Sequence, residues 1–243
     1  MTATAEGSHR LSEQLPRDRS VIITVDGPAG TGKSSVSRTL AHRLGLDFLD
    51  TGAMYRAAAA IVIDRSLAHD DIDEIVRIVA DADLHFDWQA DPPTMLAWLE
   101  PIDHRIRDAD VTRIVSRIAS IGPLREHMVR KQRIIAAQHP RLVSEGRDQG
   151  SVVFPEAAVK FYLDAAPEIR AERRVTQLGA QGIVRTRDEV LRDILERDRH
   201  DSTRRDGPLV CPDDAVRVDT SEMSRDEVVD HLESVARKRL LAS

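Results

Sequence analysis

Hydrophobic positions along the chain change their period several times, and each change marks an element. SVIITVD (20–26) is apolar almost throughout and runs straight into glycines, the pattern of a buried strand. KSSVSRTLAHRLG then switches to helical spacing, and Gly45 stops it. LDFLD is a second short strand, and TGAMYRAAAAIVIDRS a second helix with Thr51 as its expected N-cap. This alternation predicts an α/β fold, a parallel sheet with crossover helices. From about 62 to 121 the rhythm breaks. DIDEIVRIVADAD is helical, LHFDW and TMLAWLE are short strands around QADPP, and DADVTRIVSRIAS is helical up to the interruption at Gly122-Pro123. An inserted small lobe is expected there. PLREHMVRKQRIIAAQ is a helix with proline near its start, after which RLVSE and VKFYLDA resume the strands. PEIRAERRVTQLG is a helix expected to end before its glycine, TRDEVLRDILERDRHDSTRR a long helix, and AVRVD a last strand. In the last helix, SRDEVVDHLESVARKRLL, Ser224 and Glu227 have capping-box spacing. Residues 1–19 read as a loose polar arm, leaving one domain over 20–243.

Composition narrows the classes of function. With 243 residues and 31% charged positions the chain has the make-up of a soluble globular protein. No apolar stretch approaches the roughly 20 residues of a membrane helix, and the polar start lacks the apolar core of a secretory signal. The single cysteine, Cys211, excludes an internal disulfide and suits a reducing cytoplasm. A net charge of −6 argues against long nucleic acid as a partner. The basic residues are 31 Arg and 4 Lys; codon bias accounts for the total, and function only for particular positions.

GPAGTGKS (27–34) satisfies G-x-x-x-x-G-K-[ST] between a predicted strand and a predicted helix. Glycines there let backbone N–H groups curl around phosphate oxygens at the positive end of the helix. Gly27, Pro28, Ala29, Gly30, Thr31, Gly32, Lys33, Ser34 and Ser35 are therefore the expected ATP cradle. Lys33 reaches the β- and γ-phosphates and Ser34 offers a hydroxyl to Mg²⁺. The motif makes the chain an NTP binder and leaves the acceptor open. A GTPase that reads guanine through Asn-Lys-x-Asp is excluded, because the chain has no Asn. A motor ATPase normally needs a larger chain. A small-molecule kinase suits the length and the inserted lobe.

Further along, LDTGAMYRAAA, PLREHMVRKQR, EGRDQGSVVFPEA, AERR, ERDRHDSTRRDGPL and VDTSEMS follow the glycine loop in order. This succession resembles the bacterial-type cytidylate kinases over nearly the whole chain. The resemblance implies an ATP:(d)CMP phosphotransferase with a P-loop nucleoside monophosphate (NMP) kinase fold: a parallel sheet core flanked by helices, an NMP-binding insertion (about 62–121) and a short lid (about 170–188). It implies Mg²⁺ with ATP, a monomer, and CMP or dCMP as acceptor. Thr51 then matches a hydroxyl near the nucleoside, Ser116 and Arg125 the cytosine readers, and Arg197 and Asp201 groups at the sugar. Arg56, Arg147 and Arg204 match contacts to the acceptor phosphate. Arg173 or Arg174 is expected at the transferring phosphoryl group. Gly122 stands where the family often has proline.

Residues 142–155, LVSEGRDQGSVVFP, crowd Glu145, Arg147 and Asp148 into one loop after a strand. With the resemblance, Arg147 is the acceptor-phosphate fork, Asp148 the acceptor for the cytosine amine, and Glu145 a Mg²⁺-side carboxylate acting through water. An internally paired turn remains the alternative for Glu145. Gly146 and Gly150 are expected to supply backbone freedom. Two rival functions stay open at this point: an NMP kinase with another base preference, and a nucleotide sensor that kept the loop without turnover.

Overall fold

In the computed structural model, residues 11–16, 18–180 and 182–242 are described. Most of the expected arm, residues 1–10, lies outside them. Its described part is not loose. The short helix α1 (Leu11–Gln14) and the following turn bury Leu11 and Leu15 in the core, and Arg141 donates to the Pro16 carbonyl. Two leucines four apart put enough apolar surface on one side of a single turn to hold it.

Five parallel strands form the main sheet in the order β2 (Asp47–Asp50), β6 (Arg141–Glu145), β1 (Val21–Asp26), β7 (Val159–Asp164) and β8 (Val216–Asp219). Strand β1 is central and nearly all buried, as its unbroken apolar run requires. One face is covered by α2 (Lys33–Leu44), α9 (Arg225–Leu241) and α1, through Val36, Leu40, Leu44, Leu232 and Leu240. The other carries α3 (Thr51–Asp64) and α6 (Gly122–Gln138), whose buried Met54, Ile61, Leu124 and Met128 meet Leu49, Leu142 and Val153.

The middle of the chain contains α4 (Ile72–Asp81), a separate antiparallel sheet of β3 (His85–Asp87), β4 (Thr94–Ala97) and β5 (Glu100–Pro101), and α5 (Ala109–Ile118). Only β5 has no counterpart in the sequence pattern; at two exposed residues it is too short to show a period. The core of this segment is continuous with that under α3 and α6. Helices α7 (Pro167–Ala180) and α8 (Arg187–Thr203) form a hairpin with a small core of its own, Ala171, Leu178, Val190 and Ile194.

Some local readings change. Asp50, not Thr51, is the N-cap of α3: its carboxylate accepts from the Ala53 N–H at 2.9 Å, and Thr51 is already helical. Gly179 lies inside α7, where glycine is tolerated in an exposed last turn. Helix α8 ends at Thr203, short of the expected TRDEVLRDILERDRHDSTRR run, and Arg204 is its C-cap. The capping box of α9 forms as read, Ser224 with Glu227.

Candidate active site

Each main-sheet strand ends in a carboxylate, Asp26, Asp50, Glu145, Asp164 and Asp219, so the carboxyl edge is an acidic rim that must be given donors. Asp50 caps α3. Asp26 is buried and accepts from the N–H groups of Gln149 and Gly150 at 2.9 and 2.7 Å. Those donors come from a single π-type turn at Gln149–Val153, a feature without a sequence signature. Behind it Gln149 bonds Ser144 and Gln132 in a buried polar chain. Gly146 and Gly150 are there for space, not for left-handed backbone. A Cβ on Gly146 would lie 2.7 Å from Thr51 Oγ1, and one on Gly150 2.8 Å from Thr24 Oγ1.

The glycine loop leaves β1 at Gly27, whose φ of 143° and close approach to the Leu163 carbonyl admit no side chain. Gly30 and Gly32 also have positive φ. The loop turns into α2 with Lys33 buried, its Nζ donating to the Pro28 carbonyl at 2.7 Å. Burial and the nearby Arg147 push the Lys33 ammonium down to about 7. Ser34 Oγ donates to Glu145 Oε1 at 2.7 Å, while the buried Glu145 Oε2 has no partner among the described residues. Burial, then the neighbouring Asp50, raise the Glu145 carboxyl. Ser35 Oγ turns back onto the Gly32 carbonyl.

Facing the loop across the carboxyl edge is a narrow cleft of about 60 Å³. It collects Thr51, Arg56, Ser116, Arg125, Arg147, Asp148, Arg197, Asp201 and Arg204 from five separate segments, every acceptor-side residue expected from the sequence. Arg147 Nε donates to Asp201 Oδ2 at 3.0 Å, and Arg197 and Arg204 stand 4.0 and 3.9 Å from the same carboxylate. Burial alone would push Asp201 up, but these three guanidiniums outweigh it and hold its carboxyl below the usual range. Burial, followed by repulsion from Arg147, pushes Arg197 down to about 10. Arg197 Nε and Arg204 Nη2 are buried without hydrogen-bond partners among the described residues. Arg56 donates to Thr112 Oγ1 and the Ile106 carbonyl, tying the cleft to the inserted segment.

Arg125 and Asp148 form a buried pair; Arg125 also donates to the Ala119 carbonyl and lies 5.4 Å from the Tyr55 ring centre. Neither Tyr55 nor this pairing is visible in the sequence, because 23 positions separate Arg125 from Asp148. Thr51 Oγ1 donates to the Glu145 carbonyl at 2.7 Å, stapling α3 to β6.

The arginines of α7 divide in three ways. Arg173 rests on the carbonyls of Thr220, Ser221 and Met223 and on Thr220 Oγ1, so it is committed to the segment after β8. Among the described residues Arg174 has only the amide oxygen of Gln177 as partner, at 2.7 Å. Arg170 is buried and fully bonded. A wider groove of about 620 Å³ opens at the amino end of β1 beside the end of α6. Its Arg133 donates through Nε and Nη2 to the carbonyls of Val153 and Val152.

A phosphate loop facing a cationic cleft at the carboxyl edge of a parallel sheet, with a helical hairpin reaching both, is the layout of a P-loop kinase acting on a phosphorylated acceptor. The comparisons narrow that class. The cytidylate kinase family profile matches residues 23–238, and the chain belongs to that family. Cytidylate kinases of Mycobacterium avium (strain 104), Corynebacterium efficiens and Rhodococcus opacus are 42%, 44% and 45% identical to it. The alignments cover 90%, 88% and 90% of this chain, and 96%, 94% and 96% of those proteins.

Proposed function

We propose that ATP lies on the glycine loop and the acceptor nucleotide in the cationic cleft, and that the residues there divide the work as follows. The reaction is ATP-dependent phosphorylation of CMP and dCMP to CDP and dCDP. The observation that carries the residue assignment is the charge excess in the cleft: Arg56, Arg147, Arg197 and Arg204 line it against Asp201, and two of their buried N–H groups have no acceptor among the described residues. An acceptor phosphate supplies the missing negative charge and lone pairs. Arg56, Arg147 and Arg204 take that phosphate. Arg197 and Asp201 take the sugar, with Asp201 accepting from ribose or deoxyribose. Thr51 Oγ1 keeps a lone pair for the nucleoside. Ser116 and Arg125 meet the cytosine carbonyl and ring nitrogen, and Asp148, aimed by Arg125, accepts from the exocyclic amine.

On the donor side, backbone N–H groups of residues 27–35 surround the phosphates, and Lys33 exchanges the Pro28 carbonyl for the β- and γ-phosphates. The polyanion restores the ammonium that burial disfavours. Ser34 and Glu145 suit Mg²⁺: both offer hard oxygens, and Glu145 Oε2 has no partner among the described residues. Ser34 and Glu145 would hold Mg²⁺ there, and the ion would supply neutralisation of the phosphate charge. Arg174, the least committed arginine of α7, approaches the transferring group, while Arg173 fixes the segment after β8. Transfer then needs alignment, charge neutralisation and exclusion of water, and no general base, because a phosphate oxygen is already anionic.

This reading takes the enzyme as a cytoplasmic monomer; among the described residues no helix is long and apolar enough to cross a membrane. Steady-state turnover with ATP, Mg²⁺ and each of CMP, dCMP, UMP, AMP and GMP tests it. CMP and dCMP should exceed the others in kcat/KM by about a hundredfold or more, since a site built from hydrogen-bonding groups leaves them unpaired against the wrong base. Preference for UMP or AMP would overturn the base assignment.

A further inference from the structure

Arg170 lies in α7, outside both nucleotide sites, and is only 3% exposed. Each arm of its guanidinium ends on a different segment. Nε donates to the Ala165 carbonyl at 2.9 Å, Nη1 to the Ala29 carbonyl at 3.0 Å, and Nη2 meets Asp198 Oδ2 at 2.7 Å. Ala29 belongs to the glycine loop. Asp198 sits in α8 next to Arg197 and one turn before Asp201. The loop also rests on the aliphatic part of the side chain, because the site of a Cβ on Gly30 is 3.1 Å from Arg170 Cβ. A solvated arginine on a charged helix makes no such set of bonds. A planar fork with fixed N–H directions passes a displacement of one partner to the other, which a flexible point charge does not.

We propose that Arg170, with Asp198, couples the two nucleotide sites: seating a polyphosphate on the glycine loop sets the Ala29 carbonyl, and the fork transmits this to the stretch of α8 that carries Arg197 and Asp201. Arg170 is thus a positioning residue that touches neither substrate. The inference rests on the placement of ATP on the loop and CMP in the cleft. Coupling of this kind is reciprocal, so each ligand must tighten the other by the same factor.

Calorimetric titration in Mg²⁺ buffer tests it, with CMP added to the enzyme alone and to the enzyme saturated with a non-hydrolysable ATP analogue. The proteins are the intact chain, Arg170→Lys and Asp198→Asn. In the intact chain the analogue should tighten CMP about tenfold, and CMP should tighten the analogue equally. In both variants each ligand alone should bind within about threefold of the intact protein while the mutual enhancement falls to near one. Enhancement that persists in both variants overturns the proposal, as does its absence from the intact enzyme. A loss of more than about tenfold for either ligand alone, with a parallel fall in Tm, would make Arg170 a structural prop and also overturn it. An intact enzyme that binds the analogue but not CMP would count instead against the acceptor site described above.

Discussion

Asp26 ends the central strand fully buried, and burial pushes its carboxyl up to about 6 from 3.8 even though the Gly150 and Gln149 N–H groups pull the other way. The native state therefore holds this proton more tightly than the unfolded chain does. Between about pH 4 and 6 the folded form keeps a proton that the unfolded form has lost, so this group makes stability fall as pH rises through that window. The full effect is on the order of 3 kcal/mol, from about 1.4 kcal/mol per unit. Urea denaturation of the intact protein and Asp26→Asn at pH 4 and pH 7 isolates it. The amide carries a constant penalty for facing an N–H donor, so only the pH-dependent part changes. The stability difference should move in favour of the amide variant by about 2–3 kcal/mol between the two pH values; no movement would mean that the two N–H bonds balance burial. Sequence spacing brings such residues to notice without showing their surroundings. Arg170, Arg173 and Arg174 share a face on spacing alone, yet one is a buried fork, one is bound to carbonyls and one is nearly free. Arg147 and Asp148 were legible as site residues because they crowd a loop at a strand end. Asp148's partner Arg125 lies on another element, and no local pattern links them.

Among the elements, the strands and long helices were legible because their apolar periods are sustained, and the inserted segment because the βα rhythm stops there. What escaped were features too short for a period or dependent on distant partners: β5, the π-type turn, and α1, whose two leucines matter only because α2 and α9 receive them. The turn after α8 is another such feature, and it closes the end of the cleft that holds the Arg125–Asp148 pair. Arg204 Nε donates to the Gly207 carbonyl, and Gly207 has φ of 58°. A Cβ there would lie 2.3 Å from both Arg125 Nη2 and Asp148 Oδ2, inside a buried pair with little room to yield. Gly207→Ala should raise KM for CMP by about tenfold or more while KM for ATP stays within about twofold, because the proposed binding sets the disturbed pair against the base alone. Gly182→Ala is the matched control. It also replaces a glycine of positive φ, at 75°, but nothing lies within 4 Å of its Cβ. Backbone strain alone would then leave KM for CMP unchanged. Equal effects of the two substitutions would remove Gly207 from the acceptor site.

At the scale of the whole molecule, the question is which part moves to admit the acceptor. The cleft of about 60 Å³ is far below the roughly 300–1,000 Å³ of ordinary small-molecule sites. The inserted segment is poorly placed to swing away, because its buried Ile75, Met95 and Val115 belong to the same core as Leu49 and Leu142 of the main sheet. Moving it would break close packing. The α7–α8 hairpin has its own small core and joins the rest largely through polar contacts: Arg170 and Arg173 on carbonyls at its base and Asp201 on Arg147 along its side. Its connector exposes Ile183 and Val184, the latter at 96%. The contact of Asp201 with Arg147 exchanges with water more readily than close apolar packing parts, so the hairpin is the element expected to open, along the side where α8 meets the cleft. Native-state hydrogen exchange distinguishes the two elements. Amides within 174–180 and 182–200 should exchange at least about tenfold faster than those of α5 and β4 in the free enzyme, since local opening follows the least apolar interface. Adding CMP with a non-hydrolysable ATP analogue should slow the hairpin amides by about tenfold or more and leave β4 nearly unchanged. Faster exchange in the inserted segment, or protection confined to it, would assign the opening to that segment and leave the hairpin as a fixed wall.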